Sequence, residues 1–116
     1  MVEIESFRTL ALSFPESSEA PHFEKTSFRA GKKIFATLDL KNNMACVRLS
    51  PIDQDVFSAF DKSIIYPLAN KWGRQGWTMV DLKKVRMDLF KDMLTCGFCT
   101  VATKRLADLV SKESKT

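Results

Sequence analysis

Lys32 to Ser50 reads KKIFATLDLKNNMACVRLS. Ile34, Ala36, Leu38 and Leu40 alternate with Lys33, Phe35, Thr37 and Asp39, the period of a half-buried strand. Ala45, Val47 and Leu49 alternate with Met44, Cys46, Arg48 and Ser50 in the same way. Lys41-Asn42-Asn43 separates the two runs, and Asn tolerates the positive φ of a tight hairpin turn. A two-residue loop at Asn42-Asn43 pairs Leu40 with Ala45, Leu38 with Val47 and Ala36 with Leu49. That register collects the small apolar residues on one face, whereas a slip of one residue mixes the faces. On the other face it makes Thr37 and Arg48 cross-strand partners and adds Lys33, Phe35 and Lys41. The stretch predicts a hairpin at the centre of an antiparallel sheet.

Working outward, Phe23 to Ala30 reads as the preceding strand, with Gly31 as the turn. Phe28 faces the core, and Ile34 and Phe35 compete for the place opposite it, which points to a β-bulge. Glu16 to Pro21 is a polar loop. Before it, Ile4, Phe7, Leu10, Ala11 and Phe14 fall on one helical face, and Pro15 ends that helix. After the hairpin, Ser50-Pro51-Ile52-Asp53 is a helix start, with a capping hydroxyl, a proline at the first helical position and an acid in the first turn. Ile52, Val56, Ala59 and Phe60 make its apolar stripe. Ile64 to Tyr66 is a brief strand, Leu68 to Gly76 a loop, and Trp77 to Leu82 the last strand. From about Arg86 apolar pairs recur every four residues. This predicts a helix that bends near Thr103, which caps a further turn or two carrying Leu106, Leu109 and Val110; Lys112 to Thr116 is expected to fray. The order α-βββ-α-ββ-α is that of a two-layer α+β fold, an antiparallel sheet with helices on one face, in one domain over residues 1–116.

The chain has 116 residues, enough for one modest core. No apolar run approaches the ~20 residues of a membrane span. Glu3 and Glu5 sit where a signal peptide would be basic and then apolar, so none is expected. Cys46, Cys96 and Cys99 do not make a disulfide framework, and a reducing cytoplasm is the default. The net charge of +4 is unevenly spread. Residues 22–50 and 62–86 are strongly basic, while residues 1–21 and 51–61 are acidic. The strands and their turns therefore carry the positive charge.

Little in the chain points to catalysis. Cys96-Gly97-Phe98-Cys99 spells C-x-x-C, but a helical pattern precedes it, so no free helix N-terminus activates Cys96. A metal site there would need two more ligands, and only Cys46 and His22 remain. Packing on a core-facing helix is the simpler account. His22, the single histidine, has no nucleophile or carboxylate motif to work with and reads as a surface or strand-edge residue. Asp53 and Asp55 lie two apart at a helix start and, with Asp61, need no more than helix-dipole complementarity. No enzyme, metal or cofactor is expected. Trp72 and Trp77, with Tyr66, flank a basic loop holding Lys71 and Arg74, a combination suited to stacking on rings and contacting phosphates. By strand alternation Trp77 reads as a core anchor.

Certain strings, in this order, resemble the MmcQ/YjbR family of small bacterial proteins. They are Phe28-Arg29-Ala30-Gly31-Lys32-Lys33-Ile34-Phe35-Ala36, then Leu49-Ser50-Pro51, and most clearly residues 66–78, YPLANKWGRQGWT. Leu94 to Leu106 is similar to the family's C-terminal helix. The resemblance implies an α+β fold similar to frataxin and secretion chaperones. The family is commonly labelled DNA-binding, by analogy to a double-wing arrangement, and has no established catalytic residues to carry over. An iron-binding variant would want an acidic ridge on the first helix, and Glu3, Glu5, Glu16 and Glu19 are too sparse for one.

Two readings follow. In the first the protein is a non-catalytic DNA-binding module. Lys25, Arg29, Lys32, Lys33, Lys41, Arg48, Lys71 and Arg74 contact phosphates, a sequence-independent role, and Trp72 adds a stacking surface. In the second it is a protein- or ligand-binding adaptor that uses the open sheet face, with Phe23, Phe35 and Trp72 as its apolar patch.

Overall fold

The central hairpin forms with the faces of residues 36–39 and 44–48 as expected but with its register moved by two residues. In the computed structural model, which describes the backbone of residues 1–114 and the side chains of residues 1–110, β3 (Lys33–Asp39) pairs with β4 (Met44–Arg48). Leu38 lies opposite Ala45, Ala36 opposite Val47 and Thr37 opposite Cys46. The reason is the turn. The Asp39 carboxylate accepts hydrogen bonds from the Asn42 backbone N–H (3.2 Å) and side-chain amide (2.9 Å), and Asn43 takes a φ of 53°. These close a four-residue loop, Leu40 to Asn43, in place of the two-residue one, and Leu40 is exposed. An even shift leaves the paired side chains, Ala36 to Asp39 and Met44 to Val47, on their own faces.

The anticipated bulge is present, with an outcome the alternation did not give. Between β2 (Lys25–Ala30) and β3, Phe28 lies opposite Ala36 and Arg29 opposite Ile34, with the register shifting between them. Phe35 is the extra residue. It joins Ala36 on the covered side, fully buried, while Ile34 passes to the open side and Lys33 to the covered one. Gly31, at φ 63°, makes the two-residue turn between these strands.

Ahead of β2 stands a strand where a loop was expected. β1 (Ser17–His22) pairs with β2 along its whole length, Ser17 opposite Ala30 through His22 opposite Lys25. The expected single strand from Phe23 is thus a hairpin arm, and Phe23 sits in the turn at φ 58°, 95% exposed. β1 is an edge strand, where Pro21 is tolerated. Its Glu19 carboxylate is held by the Arg8 guanidinium at 2.9 Å. The full sheet has the order β1-β2-β3-β4-β6-β5, antiparallel throughout, with β5 at Ile65–Pro67 and β6 at Trp77–Asp81.

Helices cover one face, as two-layer packing requires. α1 (Ile4–Ser13) buries Phe7 and Ala11. α4 (Met87–Val101) lays Phe90, Met93, Leu94, Gly97 and Phe98 on β3 and β4. A Cβ at Gly97 would collide with Cγ1 of Val47, so glycine here sets how closely helix and sheet approach. The core is a run of rings. Phe7 meets Phe28 and Phe90 with centroids 5.1 and 5.3 Å apart, and Phe14 stacks on Phe98 at 4.8 Å. The bend falls at Thr103, whose Oγ1 accepts from the Leu106 N–H (3.4 Å) as α5 (Lys104–Ser114) begins. α5 thus continues through part of the tail expected to fray, and residues 115 and 116 lie outside the described residues.

α2 (Pro51–Ser58) starts as read: Ser50 Oγ accepts from the Asp53 N–H, and Pro51 is the first helical residue. Its stripe faces the other way. Ile52 is 76% exposed, and Val56, Ala59 and Phe60 are exposed too, while Phe57 enters the core. The reason lies across α2, where Gln54 bonds to the chain between the last two strands, so helix rotation is set by a polar contact. That chain holds a further helix, α3 (Lys71–Arg74), within the expected loop. Among the described residues no helix is long and apolar enough to cross a membrane.

Candidate functional site

The face of the sheet without helices is assembled by register. Trp77 lies opposite Arg48, Met79 opposite both Cys46 and Tyr66, Thr37 opposite both Cys46 and Ser27, and Ile34 opposite Arg29. These positions alternate with Thr78, Val80, Ala45 and Val47, which are buried toward the helices. Trp77 is therefore not a core anchor: it stands on the open side, half-buried.

Trp72 reaches the same face from α3. The Asn70 side chain caps that turn, accepting from the Trp72 N–H at 2.9 Å. Gly76, at φ 103°, lies so near the Leu49 carbonyl that any Cβ would strike it, and Gly73 is pressed in the same way on the Leu68 carbonyl. The Leu49 N–H donates to the Gly76 carbonyl (2.8 Å) and the Leu68 N–H to the Trp77 carbonyl (3.0 Å). From the covered side, the Gln54 Nε2 donates to the Gly73 carbonyl (2.9 Å) and to Thr78 Oγ1 (3.0 Å). The two tryptophans are thus held by a short loop tied at both ends and from beneath.

The result is a groove of about 350 Å³ lined by His22, Lys25, Ile34, Thr37, Cys46, Leu68, Trp72, Trp77 and Met79. Its floor is apolar, and its cations stand around it. Lys71 Nζ lies 5.4 Å from the centre of the Trp72 ring, within cation–π range. Lys25 is in the lining. Arg29 and Arg48 share the face by register, and Arg29 Nε is buried with no hydrogen-bond partner among the described residues. Asp39 and Asp81 share the face by alternation too, at the end near the β3–β4 loop. Asp39's carboxyl is held below its ordinary value by the Asn42 side-chain amide first, with the Lys25 charge among the lesser causes. A larger depression of about 480 Å³ between α1 and α4 is lined by Glu5, Ser6, Thr9, Leu10, Ser13, Met87 and Lys91 and offers no ring.

Burial pushes the Cys46 thiol up to about 12 and the Cys96 thiol up to about 11, and raises Cys99 as well. All three are protonated at neutral pH and make poor nucleophiles. Among the described residues no three His, Cys, Asp or Glu side chains come together as a metal site.

The nine residues read from the sequence as a nucleic-acid surface divide. Lys25 and Trp72 line the groove, Lys71 stands beside Trp72, and Arg29 and Arg48 share the face. Lys32 and Lys33 line a separate depression with Glu16, Val101, Thr103 and Arg105, against the helices. Lys41 sits in the β3–β4 loop and Arg74 ends α3. Phe35, expected on the open face beside Arg48, is in the core, and Arg48 pairs with Trp77, not Thr37. Ile34, Leu68, Met79 and His22 were not legible as groove residues. The one signal for Ile34 was its competition with Phe35.

These features define an α+β protein with one covered sheet face and one open, aromatic-lined face. The chain belongs to the YjbR family, whose model matches residues 12–98, a span that holds every strand and both tryptophans. It is similar to the crystal structure of the Deinococcus radiodurans protein DR2400, described as a DUF419 domain, with a TM-score of 0.75. That likeness covers 96% of this chain and 89% of that one at 20% identity, and it establishes a shared fold. Among curated proteins none matches the chain.

Proposed function

We propose that the protein is a non-catalytic DNA-binding module that docks nucleic acid on its open sheet face. The observation that carries this reading is the meeting of Trp72, Trp77 and Lys25 in one groove, with Lys71 beside Trp72. Rings provide stacking without sequence preference, and cations on the same face provide phosphate contacts. Lys25, Arg29, Arg48 and Lys71 are the residues assigned to phosphate; Lys32 and Lys33, on the covered side, are outside this surface. The non-catalytic part draws on Cys46, the one thiol in the lining, being protonated at neutral pH. The free thiols fit a reducing cytoplasm.

The test is an anisotropy titration with mixed-sequence DNA at low and moderate salt. Binding is expected near the non-specific range of ~10⁻⁴–10⁻⁶ M and should weaken steeply with salt. No binding in that range sinks the reading. Arg48→Ala should weaken binding while stability stays within about 0.5 kcal/mol of the parent.

An adaptor role is favoured by a different surface. Ile52 and Val56 of α2 and Phe60 in the turn after it are exposed, with Asp53, Asp55 and Asp61 near them in sequence, which suits a basic amphipathic segment of a partner. With Phe35 buried, the open face has lost one of the three aromatics that reading used. Capture of one stoichiometric protein that survives nuclease and is abolished by Ile52→Lys supports the adaptor; capture unaffected by that substitution removes it.

A further inference from the structure

We infer that the nucleic acid seated in this groove is single-stranded, with unpaired bases stacked on Trp72 and Trp77 and phosphates at Lys25, Arg48 and Lys71. This rests on the nucleic-acid reading above and names the form of the ligand.

Shape is the first argument. A duplex is read by something that protrudes, a helix or a two-stranded ribbon entering a major groove about 12 Å wide. Here α1, α2, α4 and α5 are spent on the covered face, and α3 has only four residues. The hairpin ends are short and hold no cluster of cations: the β1–β2 turn carries Glu24, and the β2–β3 and β3–β4 turns carry one lysine each, Lys32 and Lys41. Against the convex surface of a duplex, the concave groove would meet phosphates only at its rim, leaving its floor empty.

Chemistry is the second argument. The floor is ring and hydrocarbon: Ile34, Leu68 and Met79 beside the two indoles. In a duplex the faces of the bases are stacked on one another, so only an unpaired base can offer one. Trp72 is 47% exposed with a lysine ammonium already near its ring, an arrangement that suits a base on the indole and a phosphate on the ammonium.

Size is the third. From Lys25 on β2 to Trp77 on β6 the groove crosses three strand spacings, ~14 Å in all. Open sheets that stack bases on strand aromatics take two or three of them, which agrees with two indoles at one end and a lysine at the other.

The experiment titrates the full chain with a labelled 15-nucleotide oligothymidine and with a duplex of the same length, at matched ionic strength, following anisotropy and intrinsic tryptophan fluorescence. Oligothymidine should bind at least about tenfold more tightly than the duplex and quench the tryptophan emission. Trp72→Ala should lower its affinity by about tenfold or more. Lys25→Ala and Lys71→Ala should each reduce the slope of log K against log salt by ~0.7, the single-strand value per phosphate. Lys32→Ala, in the separate depression, should leave both affinity and slope unchanged. Duplex binding as tight as or tighter than the single strand, or binding without quenching, overturns this inference and leaves the nucleic-acid reading standing. Equal losses in Lys32→Ala and Lys25→Ala overturn the groove as the place. Binding to neither probe overturns both readings together.

Discussion

The Phe35 ring stands edge-on against Phe98 of α4, centroids 5.4 Å apart and planes at 86°. Strict alternation from Leu38 would put Phe35 on the opposite side of the sheet. The bulge between β2 and β3 lets Phe35 and Ala36, neighbours in sequence, both face the helices. The same bulge turns Ile34 outward into the groove and Lys33 away from it. One extra residue therefore completes the aromatic core and sets the composition of the open face.

That arrangement has a measurable consequence. Phe35→Ala removes a fully buried ring that touches Phe14 and Phe98, and should cost about 3–5 kcal/mol in urea unfolding. Ile34→Ala, on a half-buried groove wall, should cost less than about 1.5 kcal/mol. Alternation without a bulge orders the two the other way, and that result would contradict the register.

α2 offers a second contrast. Ile52 is 76% exposed while Phe57 is buried. Ile52→Lys should leave stability within about 0.5 kcal/mol, whereas Phe57→Ala should cost about 3 kcal/mol or more. Comparable, large losses in both would mean that α2 packs through the Ile52 stripe after all.

What the sequence disclosed, and what it hid, divides along physical lines. Ser50, Pro51 and Thr103 act through local bonds, so the helix start and the bend could be read from neighbouring residues. The faces of Leu38, Ala45 and Val47 follow from a period of two and survived an even shift in register. β1 was hidden because an edge strand needs few apolar residues: Ser17 to His22 contains one alanine and a proline, and its partners come from β2. The rotation of α2 was hidden because Gln54 binds groups about twenty residues away. For the site, Trp72 and Lys25 were legible by residue type. Trp77 was not, since alternation places it on a face without saying which face is covered.

The β3–β4 loop gives a pH dependence. The side-chain amide and backbone N–H of Asn42 donate to the Asp39 carboxylate, and Lys25 adds its charge, so the folded-state pKa lies below the ordinary one. An aspartate in the unfolded chain titrates near ~3.9. The stabilisation is therefore complete above that value and is lost as pH falls through the lower folded value. Asp39→Asn should reduce stability at pH 7, and the difference from the parent should shrink as pH drops below about 4. Unfolding curves taken between pH 7 and 2.5 test this; a difference that does not change with pH would leave Asp39 no such role.

Gln54 links the covered side to the groove. Its Nε2 donates to the Gly73 carbonyl and to Thr78 Oγ1, and the Thr78 hydroxyl donates in turn to the Gly76 carbonyl at 2.9 Å. Thr78 is fully buried, so water cannot readily replace the amide there. Gln54→Leu keeps the side chain's approximate size and removes the donor. It should cost about 1–3 kcal/mol, the penalty for leaving such acceptors unmade. The loop it releases carries Trp72 and leads directly into Trp77, so the tryptophan emission should move to longer wavelength as the indoles meet more water. Affinity for single-stranded DNA should fall as well, although Gln54 is not in the groove lining. Gln54→Glu separates positioning from mere loss of stability. It keeps the shape but turns a carboxylate toward the Gly73 carbonyl, so it should disturb the emission at least as much as leucine does. If both variants lose stability while emission and affinity stay at parent values, Gln54 supports the fold without holding the groove.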